Sequence, residues 1–249
     1  MGATSRSLGI LGLSWVLAGP AAGAGCPKDS ALVGGVCVDL YEASVWEIPS
    51  EALRKKVQKG KATLAALTAG GAVQRGATLD DYPAFCPDSG NGCRNQMFAV
   101  SVPGAAPARF ITWFQAAAAC ANSGKRLLTN AEWQVAALAT PDGAPCIVTG
   151  AGPGVTGTPA CASEWGVFDM VGNVEEWVAD WTPRASYCDA GLFGSSDSNC
   201  LGIDTTPTGT GAISRGGSFV SGSFAGVFRI NGGGAPEASD PTLGFRCAR

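Results

Sequence analysis

The side chains here that could carry chemistry are ten cysteines, in a chain of 249 residues with no histidine. A thiolate can attack, bind a soft metal or close a disulfide, and spacing separates these uses. No two cysteines form a Cys-x-x-Cys pair, so the pattern fits structural cross-links made in an oxidising compartment better than a metal cluster. The missing histidine removes Ser-His-Asp and Cys-His catalysis, His-type zinc triads and three-His iron sites. Four local pairs would close short loops flanked by Gly, Pro, Asp or Ser: Cys26 with Cys37, Cys86 with Cys93, Cys146 with Cys161, and Cys188 with Cys200. Each is worth about 2.5 to 3 kcal/mol through chain entropy. Cys120 and Cys247 are left over, and a bridge between them would tie the middle of the chain to its end, worth roughly 5 kcal/mol. Ten cysteines allow many other connectivities.

A second region with binding chemistry is the stretch from Arg215 to Arg249. Arg215-Gly216-Gly217-Ser218 opens it with a glycine pair able to take positive φ, and Gly244-Phe245-Arg246-Cys247 closes it with an alternating segment. Between these ends lie small residues and isolated aromatics with no sustained period, which reads as loop with a short strand at Val227 to Ile230. Aromatic side chains set among Gly and Ser give a few large contacts in adaptable surroundings. Ends pinned by Cys247 and the Gly216-Gly217 turn would lower the ordering cost of binding. The expected ligand face comprises Phe219, Val220, Ser221, Phe224, Phe228, Asn231, Gly232, Gly234, Asp240 and Thr242, of which Phe228 alone is also expected to pack inward.

The elements that must position this stretch are short. Ala31 to Trp46 is rich in β-branched residues and broken at Gly34-Gly35, which predicts a hairpin. Glu51 to Lys59 and Ala62 to Thr68 read as helices with Leu53, Val57, Leu64 and Leu67 on one side, their Lys and Arg residues forming a solvated face. Val73 to Pro107 is a long excursion rich in Gly, Pro and Asp, with a strand at Met97 to Val102. Thr112-Trp113-Phe114-Gln115 and Thr129-Asn130-Ala131-Glu132 both fit the capping box, placing helices at Trp113 to Asn122 and Asn130 to Ala139. Gly124 caps the first, Lys125 and Arg126 supply a basic last turn, and Leu127-Leu128 is buried. Trp113, Phe114, Trp133 and Leu138 read as core.

Composition sets the frame. With 46% hydrophobic and 15% charged residues the chain can bury a single core. The net charge of −3 gives no basic footprint for nucleic acid and no polybasic membrane patch. Arg6, the apolar run Leu8 to Ala18 and the small triplet Ala22-Gly23-Ala24 predict a signal peptide over residues 1–25, leaving one domain at 26–249. The run is too short for a transmembrane span. Export to the periplasm, the cell surface or the medium follows. A lipid anchor on Cys26 fits less well, because Gly23 stands where a large aliphatic residue is expected.

Four strings, G-K-R-L-L-T-N-A-E-W (Gly124 to Trp133), F-D-M-V-G-N-V-E-E-W-V-A-D-W (Phe168 to Trp181), R-G-G-S (Arg215 to Ser218) and G-F-R-C (Gly244 to Cys247), resemble in order and spacing the formylglycine-generating enzyme family of sulfatase-modifying factors. The resemblance implies an α+β, C-type-lectin-like fold with little regular structure, and the Cys120–Cys247 disulfide. It also implies a structural calcium ion around Val171 to Trp177, with Asn173, Val174 and Glu176 at the matching positions. Family enzymes oxidise a sulfatase cysteine with oxygen and a copper ion held by two cysteines after the Gly-Gly-Ser motif. Counted from Arg215, those positions are Ser221 and Gly226, so no copper is expected. Ala137 and Asn231 stand where the family has a second disulfide, and the lack of histidine excludes the superfamily's iron branch.

The C-terminal stretch further resembles the variable region of proteins diversified by retroelements, several of which use this fold. Three readings follow: an exported protein that binds a protein or glycan through a diversified surface, a copper-dependent oxidase, and a structural disulfide-rich surface domain.

Overall fold

The computed structural model describes residues 25–191, 194–202 and 209–249. Nearly all of the predicted leader, residues 1–24, lies outside them. In chain order the elements are β1 (Ser30–Val33), β2 (Val36–Asp39), β3 (Ser44–Glu47), α1 (Glu51–Gln58), α2 (Leu64–Ala69), β4 (Val73–Arg75) and β5 (Met97–Val100). There follow α3 (Trp113–Asn122), β6 (Arg126–Leu127), α4 (Asn130–Ala136), β7 (Glu175–Pro183), β8 (Tyr187–Ala190), β9 (Ser198–Gly202), β10 (Thr210–Arg215), β11 (Ile230–Gly234), β12 (Leu243–Phe245) and β13 (Cys247–Ala248). The strands form a six-stranded sheet in the order β12-β7-β10-β11-β9-β8, a four-stranded sheet β1-β2-β13-β6 and a three-stranded sheet β4-β3-β5.

Local sequence explains most of these elements. Gly34 and Gly35 take φ of 55° and 89° at the β1–β2 turn, where a primed hairpin turn demands positive φ. Both predicted capping boxes are made: Thr112 and Thr129 accept the amides of Gln115 and Glu132, whose side chains reach back to the cap amides. Strand β5 is buried along its length and shows the two-residue alternation of a strand. Met97 and Ala99 face Ala116, Ala119 and Cys120 of α3, while Phe98 and Val100 face Leu53 and Val57 of α1 and Leu67 of α2.

All five expected disulfides are present: Cys26–Cys37, Cys86–Cys93, Cys120–Cys247, Cys146–Cys161 and Cys188–Cys200. No free cysteine remains among the described residues, and the Cys26 thiol is paired with Cys37.

Three local expectations need correction. Helix α4 stops at Ala136, and Leu138 is half exposed at 50% rather than core. The strand expected at Val227 to Ile230 begins instead at Ile230. Lys125 is no helix-end cation. Its Nζ is buried 2.9 Å from Asp29 and 2.7 Å from Asp39.

Candidate functional site

The first part of the C-terminal stretch, between β10 and β11, is a loop fixed through its backbone. Arg215, at the end of β10, is buried with its guanidinium 4.5 Å above the Trp133 ring. It donates to the side-chain oxygens of Asn130 and Gln134 on α4, to the Arg229 carbonyl at 2.7 Å and to the Val227 carbonyl at 2.9 Å. Burial pulls its pKa down to about 10, which leaves it charged at neutral pH. Gly216 and Gly217 follow with φ of 83° and 81°, and a Cβ on Gly216 would sit 2.5 Å from the Met170 carbonyl. These two glycines are required by both conformation and space.

Beyond them the amides are taken up one by one. Ser218 N–H donates to Ser221 Oγ at 2.9 Å, Phe219 N–H to the Asn173 carbonyl at 3.0 Å and Gly222 N–H to the Val148 carbonyl at 2.8 Å. Val227 N–H donates to Asp142 at 2.9 Å and Phe228 N–H to Asp197 at 2.8 Å. Burial raises the pKa of Asp197, an effect opposed by the Phe228 amide.

The ten expected ligand-face residues therefore separate. Val220, Phe224 and Phe228 project outward, exposed by 60%, 53% and 38%. Phe219 is buried and anchors the loop instead, so the inward aromatic is Phe219 and not Phe228. Ser221 is half-buried and turned back on Ser218. Gly232 lies inside the sheet, where a Cβ would meet Thr182 at 2.6 Å. The other four, Asn231, Gly234, Asp240 and Thr242, line a separate hollow of about 240 Å³ together with Glu175 and Ser214. Trp177 closes that hollow, its indole within 3.0 Å of where a Cβ on Gly234 would lie. Glu175 accepts the Ser214 hydroxyl at 3.0 Å and faces Arg229 at 3.5 Å. Asp240 accepts the Thr242 amide at 2.8 Å. The hollow is polar at its walls and aromatic beneath.

Sequence reasoning missed Glu175, Ser214 and Trp177 in the hollow, and Asp142, Asp197, Asn130 and Gln134 behind the loop. Trp177 and Glu175 sit within the recognised Val-Glu-Glu-Trp string and could have been found there. Asp142 and Asp197 carry no pattern in sequence.

Neither implied metal fits these residues. Gly226 has no room for a side chain, because a Cβ there would lie 2.1 Å from Asp197, and Ser221 offers a hydroxyl where soft Cu(I) takes thiolates. For calcium, the side-chain oxygen of Asn173 already accepts the Gly154 amide at 2.9 Å, and its amide nitrogen donates to Glu42. Glu176 accepts the Trp133 indole at 2.8 Å and the buried Arg246 at 2.7 Å. The Val174 amide donates to Glu42 at 3.0 Å. Burial first, then Asp169 and Glu176, hold the Glu42 carboxyl well above the usual carboxylate range. A calcium ion needs six or more converging oxygens, and here those of Asn173 and Glu176 are spent on a buried network. Among the described residues no group of three or more His, Cys, Asp or Glu side chains is placed to hold a metal. The network's role is scaffold. Asn173, at φ 53°, presents the carbonyl that takes Phe219.

Comparison with solved structures places the fold. The M1 and I1 variants of Major Tropism Determinant superimpose with TM-scores of 0.51 and 0.50, at 21% and 20% identity, each match covering 89% of this chain and 52% of the other. These likenesses show the fold, a C-type-lectin-like arrangement of few helices and many short strands. Among curated proteins, the formylglycine-generating enzyme of Thermomonospora curvata is 31% identical over 57% of this chain and 55% of its own length. That of Streptomyces coelicolor is 28% identical over 57% and 52%. The chain thus spans about half the length of the curated relatives it matches. The profile of the sulfatase-modifying factor enzyme 1-like domain matches residues 38–147 and 148–249, and the chain belongs to that family.

Proposed function

We propose that this protein is an exported binding protein that recognises a protein or glycan through the outward side chains of Val220, Phe224 and Phe228 and through the hollow lined by Asn231, Asp240 and Thr242. One observation carries the reading. The loop from Gly216 to Arg229 owes its shape to backbone hydrogen bonds, to the inward side chains of Phe219 and Ser221, and to Arg215, Asp142, Asp197 and Asn173 outside it. Val220 and Phe224 stand 60% and 53% exposed on the outside of that framework, where substitutions cost the fold little. Such a surface suits a diversified region, and five disulfides suit an oxidising compartment. In the described residues no helix is long and apolar enough to cross a membrane.

The oxidase reading draws on the relatives' name and is opposed by Gly226 and Ser221. A sulfatase-type cysteine peptide incubated with the protein and copper is expected to stay unconverted, and turnover above a protein-free control would restore that reading. For binding, the double variant Val220→Ser/Phe224→Ser is expected to lose any ligand found on protein and glycan arrays. Its melting temperature should stay within a few degrees, since exposed changes cost within about 0.5 kcal/mol each. Phe219→Ser, by contrast, should cost roughly 3 to 5 kcal/mol as a core deletion. Retained binding by the double variant would move the site elsewhere.

A further inference from the structure

A cleft of about 350 Å³ lies between the β2–β3 connection, α2 and the segment after β5, and it shares no lining residue with the hollow described above. Leu40, the Tyr41 ring, Leu64, Val102 and Pro103 give it apolar wall surface. Tyr41 is held rigid by stacking on Phe168, ring centroids 5.3 Å apart. Ser101 Oγ, which lines it, is already satisfied, accepting the Tyr41 amide at 3.1 Å and donating to the Asp29 carbonyl at 3.0 Å. The rim is different.

Lys28 and Lys61 stand exposed at its edge. The backbone joins them to two more exposed lysines. Lys61 N–H donates to the Lys56 carbonyl at 2.9 Å and Lys59 N–H to the Lys55 carbonyl at 3.2 Å, while Gly60 packs directly on Asp29, next to Lys28. Among the described residues Lys28, Lys56, Lys59 and Lys61 have no carboxylate partner, because the nearby acids are committed: Asp29 and Asp39 to buried Lys125, Asp29 also to Arg249, and Glu51 to Lys55. Four lysines without an ion pair thus sit on backbone that meets at one edge of the cleft, two of them lining it, in a chain whose net charge is −3. A chain-wide sum hides such a patch.

We propose that this face docks on an anionic lipid bilayer, the four lysines meeting headgroup phosphates while the cleft takes apolar acyl surface. The charge is complementary, and a soluble polyanion would leave the apolar walls unused. The Cys26 thiol is paired with Cys37, and attachment through this face requires no covalent lipid. A lysine close to an anionic membrane contributes about 1 kcal/mol, roughly a fivefold change in partitioning for each.

Co-sedimentation of the full chain with vesicles tests this, using phosphatidylcholine alone or mixed with phosphatidylglycerol. The variants are Lys28→Gln/Lys56→Gln/Lys59→Gln/Lys61→Gln and, separately, Leu64→Gln. Every chain keeps the same N-terminal apolar run, so differences report this face. The wild type is expected to prefer phosphatidylglycerol vesicles by more than about tenfold and to lose that preference near 1 M salt. The quadruple variant should lose the preference at low salt too. Leu64→Gln should weaken binding several-fold at unchanged charge, with unchanged circular dichroism. Equal partition of the wild type onto both vesicles, or a quadruple variant matching the wild type on phosphatidylglycerol, overturns the proposal. So does retention of the wild type on immobilised polyphosphate that the quadruple variant loses while vesicle binding stays equal, which would assign the patch to a soluble polyanion.

Discussion

Asp39 is fully buried beside Asp29, and both carboxylates share the single ammonium group of Lys125. Burial pushes the Asp39 carboxyl from 3.8 up to about 6 against the pull of Lys125, whereas at Asp29 burial is outweighed by Lys125 and Arg249 and the pKa falls. A carboxyl whose pKa is higher folded than unfolded favours the fold while protonated. That contribution is whole below about pH 3.8 and is lost as pH rises through about 6. Asp29 works in the opposite sense, contributing above its unfolded pKa and losing that as pH falls. Denaturant titrations from pH 4 to pH 7 should therefore show a decline in the wild type that Asp39→Asn flattens, by up to roughly 3 kcal/mol across the window. Parallel curves for the two chains would mean that burial does not penalise Asp39. The sequence could not show this group, because Lys125 follows a helix as a dipole-complementing cation would, and its partners lie 96 and 86 residues away. Phe219 and Phe228 were misassigned for a related reason. Both are phenylalanines in a glycine-rich run, and only the Asn173 carbonyl and the Asp197 carboxylate decide which one turns inward.

At the scale of elements, the loop between β10 and β11 depends on its neighbours more than on itself. Arg215→Met would strip donors from the Val227 and Arg229 carbonyls and from two side-chain amides on α4 at once. Leaving buried acceptors unsatisfied costs about 1 to 3 kcal/mol each. The expected result is a melting temperature lower by several degrees or more and new proteolytic cleavage confined to residues 216–229. A variant that melts lower with no new cleavage there would show that Arg215 supports α4 and not the loop. Helices α1, α3 and α4 were legible in the sequence because cap, period and core face agree locally. The strand expected at Val227 was not, since Val227 and Phe228 are good strand formers whose amides are claimed by Asp142 and Asp197, 85 and 31 residues distant. The polar hollow escaped notice because its walls come from β7, β10, β11 and the turn before β12, which only the sheet brings together.

On the scale of the whole molecule, the end of the chain seals the fold. Strand β13 fits between β2 and β6, Cys37 and Arg249 exchange backbone hydrogen bonds at 3.1 and 2.9 Å, and β12 lies parallel to β7 at the edge of the large sheet. Cys120–Cys247 closes the widest loop, a separation of 127 residues against 11 for Cys26–Cys37. Cys120→Ala/Cys247→Ala should therefore lose roughly 4 to 5 kcal/mol and Cys26→Ala/Cys37→Ala nearer 3 by chain entropy. Thermal melts of the two double variants check this, and an equal or reversed order would show that local strain or packing sets the values. The local bridges were legible from loop length, and the long one from the family's pattern. The late position of β12 and β13 also bears on timing. The four-stranded sheet lacks an inner strand until residues 247–248 have been made, so the first half of the chain leaves the ribosome with its hairpin and α3 still waiting for a partner. Synthesis and closure are thereby separated. The segment between β10 and β11 is made just before the closing strands, so a version of it that kept them from β2 and β6 would leave the four-stranded sheet open.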